Sequence, residues 1–286
     1  MFKKIISIFL AIAVIFSLCS ICASAEEQKN LIVFGDSISY GYGLKENTNA
    51  VYGKIVADTI GYNYKNLSFG EGETTASLLA KVQEASIQTY IKNADIILIS
   101  ICGNDYFLDE NRVINIGRIA KMFVTWLKKD NTEIDNIAVN AKKNFYEIID
   151  TIRLVNPDAK IVLQTVYTPW YGPAGTFCGE GMARANSVIT DYLKDNPGSF
   201  YLVDVATAFR NHKEYVADDS VHPSALGNEV IAKLIVDELR NQGITNATDL
   251  VITTKGTDYN LYIDSIPIVG EIVFKIVRFL TQTKKA

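Results

Sequence analysis

The sequence predicts an α/β fold in which one parallel β-sheet lies between two layers of helices. Five short apolar runs alternate along the chain with longer segments of helical periodicity. The runs are apolar almost without interruption, which is typical of strands that are buried on both faces of a parallel sheet. Alternating strands and helices that are joined by right-handed crossovers pack as a three-layer α/β/α sandwich.

The individual elements follow from these runs in chain order. The predicted strands lie at 30–35, 62–69, 94–103, 159–167 and 200–205. The predicted helices lie at about 50–60, 75–91, 135–155, 180–195 and 224–241. We expect these elements to form one domain over 26–243, because a chain of this length can bury a full hydrophobic core.

Two segments go beyond this minimal pattern. Residues 106–134 lie between the third strand and its crossover helix, and "VINIGRIAKMFVTWLKK" has an amphipathic helical pattern. We interpret this segment as an insertion at the carboxyl end of a strand, where open α/β sheets build their ligand sites. The C-terminal extension, 244–286, contains an apolar stretch that Glu271, Lys275 and Arg278 interrupt. We expect this extension to pack on the domain, with peripheral contact to a membrane surface as the alternative.

The first 25 residues have the layout of a secretory signal peptide. A basic start, "MFKK", is followed by a long apolar run that ends in Ala23-Ser24-Ala25. Small residues in this arrangement predict cleavage after Ala25 and secretion of the remaining chain. A retained membrane anchor is the alternative interpretation.

Composition narrows the possible functions. Removal of the leader would leave 26 basic and 32 acidic residues, a net charge of about −6. This charge argues against nucleic-acid binding, which needs a basic face. Cys102 and Cys178 would be the remaining cysteines, and a disulfide between them stays open because secreted proteins often pair their cysteines. Two cysteines and two scattered histidines are too few for a zinc site, so we expect no metal and no cofactor.

Ser37 is a candidate nucleophile because it directly follows the first predicted strand, in "FGDSISYG". Gly35 would allow the chain to turn tightly after that strand. A serine at such a position is equally suited to cap a following helix, and this is the alternative role for Ser37. The segment is not the G-x-S-x-G motif of α/β hydrolases, because Ser39 stands where that motif has its second glycine.

The ends of two further strands carry groups that could bind a negative oxygen. Asn104 follows the third strand in "ICGNDYF", and Gly70 and Gly72 follow the second strand in "NLSFGEGETT". A free backbone N–H at a glycine before a helix is a ready donor for an oxyanion. Each segment could also be a simple turn. The carboxyl ends of neighbouring parallel strands meet at one edge of the sheet, so we expect these groups to lie near Ser37.

A serine hydroxyl needs a base within hydrogen-bond reach to act as a nucleophile. The chain has two histidines, and His212 in "RNHKEY" has the charged neighbours of a surface residue. His222 lies in "DDSVHP", where Asp219 or Asp218 could direct a carboxylate at its ring. Such a carboxylate fixes the tautomer of the imidazole and stabilises the imidazolium that forms on proton transfer. His222 is therefore the better candidate base.

In this order, the segments resemble the blocks that define the SGNH/GDSL hydrolase family. "GDSIS" matches the first block with Ser37, "GND" the third with Asn104, and "DSVHP" the last with Asp219 and His222. The second block matches through "GET", which makes Gly72 its counterpart. This segment is one residue longer than the commonest form of the block, so Gly70 is the alternative counterpart. The resemblance spans about 30–242 and implies a flavodoxin-like sandwich with a mostly five-stranded parallel sheet.

The resemblance also implies a role for each matched residue. Ser37 would be the nucleophile, His222 the general base and acid, and Asp219 the carboxylate that orients the imidazole. The backbone N–H groups of Ser37 and Gly72 and the side-chain amide of Asn104 would form the oxyanion hole.

These roles imply a serine hydrolase that cleaves carboxylic esters through an acyl-enzyme, and the predicted leader implies that it is secreted. The apolar insertion favours an esterase or lipase that acts on an acyl ester or a lipid. The alternative is a carbohydrate O-deacetylase that acts on acetylated polysaccharide. A binding protein without catalytic activity on the same fold is a further alternative. Loss of Ser37, Asn104 or His222 would be expected of such a protein, and all three are present.

Overall fold

The computed structural model describes residues 28–70 and 72–259, which contain a five-stranded sheet whose strands are all parallel. Its strands are β1 (Asn30–Gly35), β2 (Asn63–Asn66), β3 (Ile96–Ser100), β4 (Lys160–Gln164) and β5 (Tyr201–Val203). They lie in the order β2-β1-β3-β4-β5. The five predicted strands and the parallel sheet are therefore confirmed. The leader 1–25 and the apolar stretch 266–285 lie outside the described residues.

The strands differ in burial according to their place in the sheet. All residues of β3 are buried, as expected for a central strand that is covered on both faces. The residues of β2, "NYKN", alternate between exposed and half-buried because β2 is an edge strand. β1 lies between β2 and β3, so three neighbouring strands end at one edge of the sheet.

Helices cover both faces of the sheet and complete the predicted α/β/α sandwich. The helices are α1 (Ser37–Tyr40), α2 (Asn47–Ala50), α3 (Tyr52–Ile60), α4 (Thr75–Val82), α5 (Ala85–Lys92), α6 (Ile116–Leu127), α7 (Thr132–Val155), α8 (Gly172–Asp195), α9 (Val205–Ala208) and α10 (Ala225–Asn241). One core forms where α4, α5, α7 and α8 pack on the sheet. A second core forms on the opposite face, where α3 and α10 pack.

Two predicted helices differ in their bounds. The single helix expected at 75–91 is two helices, because Glu84 takes an extended backbone conformation between them. The first of these begins with a capping box, in which Thr74 and Ser77 exchange hydrogen bonds between side chain and backbone. The helix expected from about residue 180 begins at Gly172, and Pro173 stands in its first turn, where a missing N–H costs nothing.

The part of the C-terminal extension up to residue 259 lies against the domain. Leu44 and Asp258 form an antiparallel bridge, and the backbone N–H of Val251 donates to the Thr59 hydroxyl at 2.9 Å. These contacts hold the segment beside the loop that follows α1 and beside the last turn of α3. No helix in the described part of the chain is long and apolar enough to cross a membrane.

Cys102 and Cys178 are both buried free thiols, so the structure has no disulfide between them. Burial raises the pKa of Cys178 to about 12 and holds the pKa of Cys102 well above its ordinary value. Both side chains contribute to the core between the sheet and its larger helical layer. The two cysteines thus pack as small apolar residues in that core.

Candidate active site

Ser37 lies at the sharp turn that leads from β1 into α1. Gly35 has a φ of +140°, and a Cβ atom there would collide with the carbonyl oxygen of Ser100 on β3. This position therefore requires glycine. The Asp36 side chain caps α1 by accepting a hydrogen bond from the backbone N–H of Ile38 at 3.0 Å. Asp36 thus takes the capping role that was the alternative for Ser37, and the Ser37 hydroxyl is available for another contact.

The second part of the site is the tight loop before α10. Val216 and Pro223 form an antiparallel bridge at its base. Ser220 near its tip has a φ of +61°, which is unusual for a residue with a side chain. The loop is therefore compact, and it directs the side chains of Asp219 and His222 to the same edge of the sheet as Ser37.

Ser37, His222 and Asp219 form one continuous chain of hydrogen bonds. The Nε2 atom of His222 lies 2.9 Å from the Oγ atom of Ser37. Its Nδ1 atom lies 2.5 Å from Oδ2 of Asp219, so Asp219 and not Asp218 contacts the imidazole. The His222 and Asp219 side chains are 15% and 17% exposed, which shields this contact from most of the solvent.

Asp219 is held in its ionised form by several hydrogen bonds. Its second oxygen, Oδ1, accepts the backbone N–H groups of Val221 and His222, each at 2.9 Å. Burial by itself would raise the pKa of Asp219. The hydrogen bond and the charge of the His222 ring, together with the two backbone donors, outweigh burial and lower the pKa below its ordinary value. A carboxylate at this place can stabilise a positive imidazolium.

Tyr42 borders the imidazole on its solvent side. The ring centroids of Tyr42 and His222 are 4.9 Å apart, and the Tyr42 side chain is 52% exposed. Tyr42 was not predicted as a site residue. No sequence signal indicated it, because its contact with His222 arises only when the loop after α1 folds against the loop before α10.

Asn104 and Gly72 lie together at the carboxyl ends of β3 and β2. The Asn104 side chain donates one N–H from Nδ2 to the carbonyl oxygen of Glu73 at 3.1 Å, directly after Gly72. Gly72 has a φ of +83°, and a Cβ atom there would collide with the side chain of Leu108. Gly70 is not in this left-handed conformation and packs against the ring of Tyr40. The contact with Asn104 therefore favours Gly72 over Gly70.

A partly buried hydrogen-bond network behind Asn104 links three elements. The hydroxyl of Thr75, at the start of α4, donates to Asp105 at 2.5 Å, and its backbone N–H lies 3.2 Å from the same carboxyl group. Asn144 on α7 donates to the Thr75 hydroxyl at 3.2 Å. Burial raises the pKa of Asp105 to about 6, although the two hydrogen bonds from Thr75 act in the opposite direction. Asp105 thus braces the turn that carries Asn104, and Thr75 and Asn144 are supporting residues that the sequence did not single out.

The loop that carries Gly72 has its own support from α4. Glu73 is almost fully buried, and its carboxylate pairs with the ammonium group of Lys81. Lys81 also donates to the carbonyl oxygen of Leu67 at 3.2 Å. One lysine therefore holds both ends of this loop.

The other histidine takes no part in the site. His212 is exposed, its Nδ1 atom lies 2.7 Å from Glu214, and its ring stacks on Tyr215. In the part of the chain that the structure describes, no group of three or more His, Cys, Asp and Glu side chains is placed to hold a metal ion.

The fold and this arrangement of side chains define a class of protein. A serine, a histidine and an aspartate joined by hydrogen bonds at the carboxyl edge of an α/β sheet form the constellation that serine hydrolases use. The sequence model of the GDSL-like lipase/acylhydrolase family matches residues 33–230 of this chain. The chain belongs to this family.

Individual relatives are distant in sequence. The uncharacterized protein YpmR of Bacillus subtilis is 23% identical over 269 residues, which cover 84% of this chain and 98% of YpmR. The spore germination lipase LipC of Bacillus licheniformis is also 23% identical, over 70% of this chain and 91% of LipC. Among solved structures, the lipase Lip_vut3 from a goat rumen metagenome has the same fold, with a TM-score of 0.59 and 21% identity over 77% of this chain and all of Lip_vut3.

Proposed function

We propose that this protein hydrolyses carboxylic esters by acyl transfer through an ester of Ser37. The observation that carries the proposal is the hydrogen-bonded chain from Ser37 through His222 to Asp219. His222 Nε2 takes the Ser37 proton as Oγ bonds to the carbonyl carbon, and the C=O electron pair moves to oxygen. The tetrahedral intermediate collapses, the ester C–O bond breaks, and the leaving alcohol takes the proton from His222. Water then attacks the acyl-enzyme with the same base, which releases the acid and restores Ser37.

Three donors are suited to stabilise the negative oxygen of the tetrahedral intermediate. Ser37 is the first residue of α1, so its backbone N–H has no acceptor within that helix. The Asn104 amide group has two N–H donors, and one remains after the bond to the Glu73 carbonyl. The backbone N–H of Gly72, which follows the neighbouring strand β2, completes the proposed set. Donors of this kind act most strongly on charge that develops in the transition state.

The substrate class that we favour is an acyl ester with an apolar acyl chain. The insertion after β3 exposes several large apolar side chains, among them Ile116 and Leu127. The names of LipC and Lip_vut3 describe both relatives as lipases. The alternative is O-deacetylation of a carbohydrate. Exposed tyrosines beside the site, Tyr40 and Tyr42, support this alternative because aromatic rings pack against sugar faces.

The test is a panel of p-nitrophenyl esters of increasing acyl length beside acetylated xylan. Hydrolysis that improves from acetyl to longer chains supports the acyl ester, and a preference for acetylated xylan supports the deacetylase. Ser37→Ala should lose activity and labelling by a fluorophosphonate. Ser39→Ala is the matched control, because the Ser39 hydroxyl bonds to Tyr52 at 2.8 Å. This variant should keep both ester hydrolysis and labelling by the fluorophosphonate. Full activity of Ser37→Ala would overturn the proposal.

We also propose that the protein is secreted after cleavage behind Ala25. The support is the basic start, apolar run and small-residue end of the leader. Expression of the full chain with N-terminal sequencing of the protein in the medium tests this proposal. The expected first residue is Glu26, and a protein that keeps its leader in the membrane fraction would contradict it.

A further inference from the structure

The outer surface of α6 carries a continuous set of exposed apolar side chains. Ile116, Phe123 and Leu127 follow each other at spacings of seven and four residues and thus lie on one face of the helix. Their exposed fractions are 75%, 37% and 61%. Val113 and Ile114, at 60% and 63%, extend this surface before the helix begins. We call the surface formed by these five residues the apolar ridge.

The opposite face of α6 is already occupied. Met122 is buried in the core, and Ile119 and Trp126 pack against it. A helix on the surface of a domain normally turns a polar face to water. α6 instead has apolar side chains on its exposed face as well as on the face that packs on the core. Exposed apolar surfaces of this kind mark a site of contact with a membrane or another protein.

Basic residues accompany the apolar ridge, although the chain as a whole is acidic. Residues 109–130 contain five basic and three acidic residues, whereas the whole chain has a formal net charge of −4. Lys128 and Lys129 follow the last turn of α6, and Lys121 lies on its exposed surface, where it pairs with Glu133. An amphipathic helix whose apolar face is accompanied by lysine and arginine is typical of attachment to an anionic membrane surface.

The apolar ridge is joined directly to the candidate active site. The guanidinium group of Arg118 on α6 donates to the carbonyl oxygen of Asp105 at 3.2 Å and also to the carbonyl oxygen of Leu108. Asp105 is the residue after Asn104. The guanidinium group of Arg112 lies 4.2 Å from the ring centroid of Phe69, on the loop that leads to Gly72. A surface bound to the ridge would therefore lie close to the strand ends that carry Asn104 and Gly72.

We propose that the apolar ridge and its basic residues dock this protein on a membrane that contains anionic lipid. The apolar side chains enter the boundary between headgroups and acyl chains, and the basic side chains contact the negative headgroups. Charge argues against the other occupants. The C-terminal stretch 266–285 has four basic residues and one acidic residue, so it would be repelled. In a two-fold dimer through the ridge, the same basic residues would face each other.

The test is co-sedimentation of the mature chain with phosphatidylcholine vesicles, with and without phosphatidylglycerol. The wild-type protein should bind the mixed vesicles more tightly than pure phosphatidylcholine, and added salt should weaken the binding. Each lost positive charge should weaken partitioning by about fivefold, so Lys128→Glu/Lys129→Glu should weaken it by about 25-fold or more. Ile116→Ser/Leu127→Ser should weaken it by at least about tenfold, because two apolar groups no longer enter the membrane. Phe123 is left unchanged in this variant, because its ring also packs on Trp126 and on the buried ring of Phe177.

Matched controls carry the same substitutions outside the apolar ridge. Val139→Ser/Leu154→Ser removes two apolar side chains that are 67% and 86% exposed on α7, and Lys143→Glu/Lys194→Glu reverses two exposed charges on α7 and α8. Both should bind vesicles like the wild type. Wild-type protein that does not bind the mixed vesicles, or ridge variants that bind as well as the controls, would overturn the proposal. A much lower Tm of the ridge variants would instead show that the C-terminal stretch packs on this surface, and a changed oligomeric state would show that a second copy covers it. Either result would also overturn the proposal.

This test is independent of the chemical step. Hydrolysis of a short, water-soluble ester by the ridge variants should stay within about twofold of the wild type, because their substituted side chains lie outside the proposed catalytic groups. Loss of that hydrolysis together with vesicle binding would contradict a surface role for the ridge. Vesicle binding by a protein without ester hydrolysis would contradict the proposed function and leave the docking surface supported.

Discussion

The Nε2 atom of His222 lies 2.9 Å from the Oγ atom of Ser37, although the two residues are 185 positions apart in the sequence. The two side chains come from opposite ends of the domain's chain, one after β1 and the other before α10. The sheet brings them together because β1 lies in its interior and α10 packs on the face of the sheet that α3 also covers.

Asp219→Asn should lower kcat/KM by about 10³-fold or more, since an amide cannot stabilise the imidazolium and favours the wrong tautomer. Asp218→Asn is the matched control and should stay within about twofold, because Asp219 is the residue in contact with His222. Steady-state hydrolysis of a soluble ester measures both. Similar losses in the two variants would show that the imidazole has another partner in solution.

Asn104→Ala should lower kcat by about 10²- to 10³-fold and leave KM nearly unchanged, because an oxyanion donor acts on the transition state. The same substitution also removes the bond to the Glu73 carbonyl, so circular dichroism and Tm must first show a folded protein. Asn144→Ala removes a side-chain amide from the network behind Asn104, where it bonds to Thr75 and is not a proposed oxyanion donor, and should cost much less in kcat. An Asn104 variant whose loss is entirely in KM would rule out the proposed role.

Gly72→Ala should impair both folding and catalysis. The left-handed backbone disfavours alanine by about 1 kcal/mol, and the new Cβ would meet Leu108. Adding Leu108→Ala should recover part of the lost stability, which a double-mutant cycle in urea would measure as a coupling of about 1 kcal/mol. Gly70→Ala should perturb kcat/KM less, since Gly70 lacks the left-handed conformation and its new Cβ would displace the partly exposed ring of Tyr40 and not a group of the proposed oxyanion hole. Additive effects of Gly72→Ala and Leu108→Ala would contradict this packing.

Asp36→Asn should remove a pH dependence of stability. Burial raises the pKa of Asp36 to about 7, against the hydrogen bond from Ile38 and the charge of His222. The folded protein therefore keeps a proton that the unfolded chain loses near pH 4, and stability falls as the pH rises from about 4 to about 7. The shift of about three pKa units corresponds to a change on the order of 4 kcal/mol over that window.

Asparagine keeps the acceptor for the Ile38 N–H but cannot ionise. Urea unfolding at several pH values should therefore show the difference between variant and wild type moving in favour of the variant as the pH rises from 4 to 7. A difference that stays constant over this range would show that Asp36 does not titrate there.

Local sequence patterns were sufficient to predict most of the fold. The near-continuous apolar run of β3 indicated a strand covered on both faces, and its residues are all buried. The predicted helix at 75–91 was wrong in one respect, because helical periodicity does not reveal that Glu84 turns the chain between two helices. Such a break depends on how the two helices pack on α7, and that packing is not encoded within the segment itself.

The candidate site likewise contains residues that the sequence could single out and residues that it could not. Ser37, Asn104 and His222 could be singled out because each follows a strand or precedes a helix in a short, distinctive segment. Tyr42 and Thr75 could not, because their importance comes from contacts with His222 and Asp105, which are far away in sequence. The disulfide between Cys102 and Cys178 was left open by the sequence, and the structure has both thiols free.

The sequence by itself determined the α/β class, the order of the strands along the chain and the residue types available for chemistry, because these depend on periodicity and on short segments. Only the tertiary structure decided that Asp219 and not Asp218 meets the imidazole, and that Asn104 reaches the residue after Gly72. Neighbouring residues in a loop are equivalent in a sequence pattern. The turn at Ser220 makes them different, because it sets which carboxylate lies within hydrogen-bond distance of the ring.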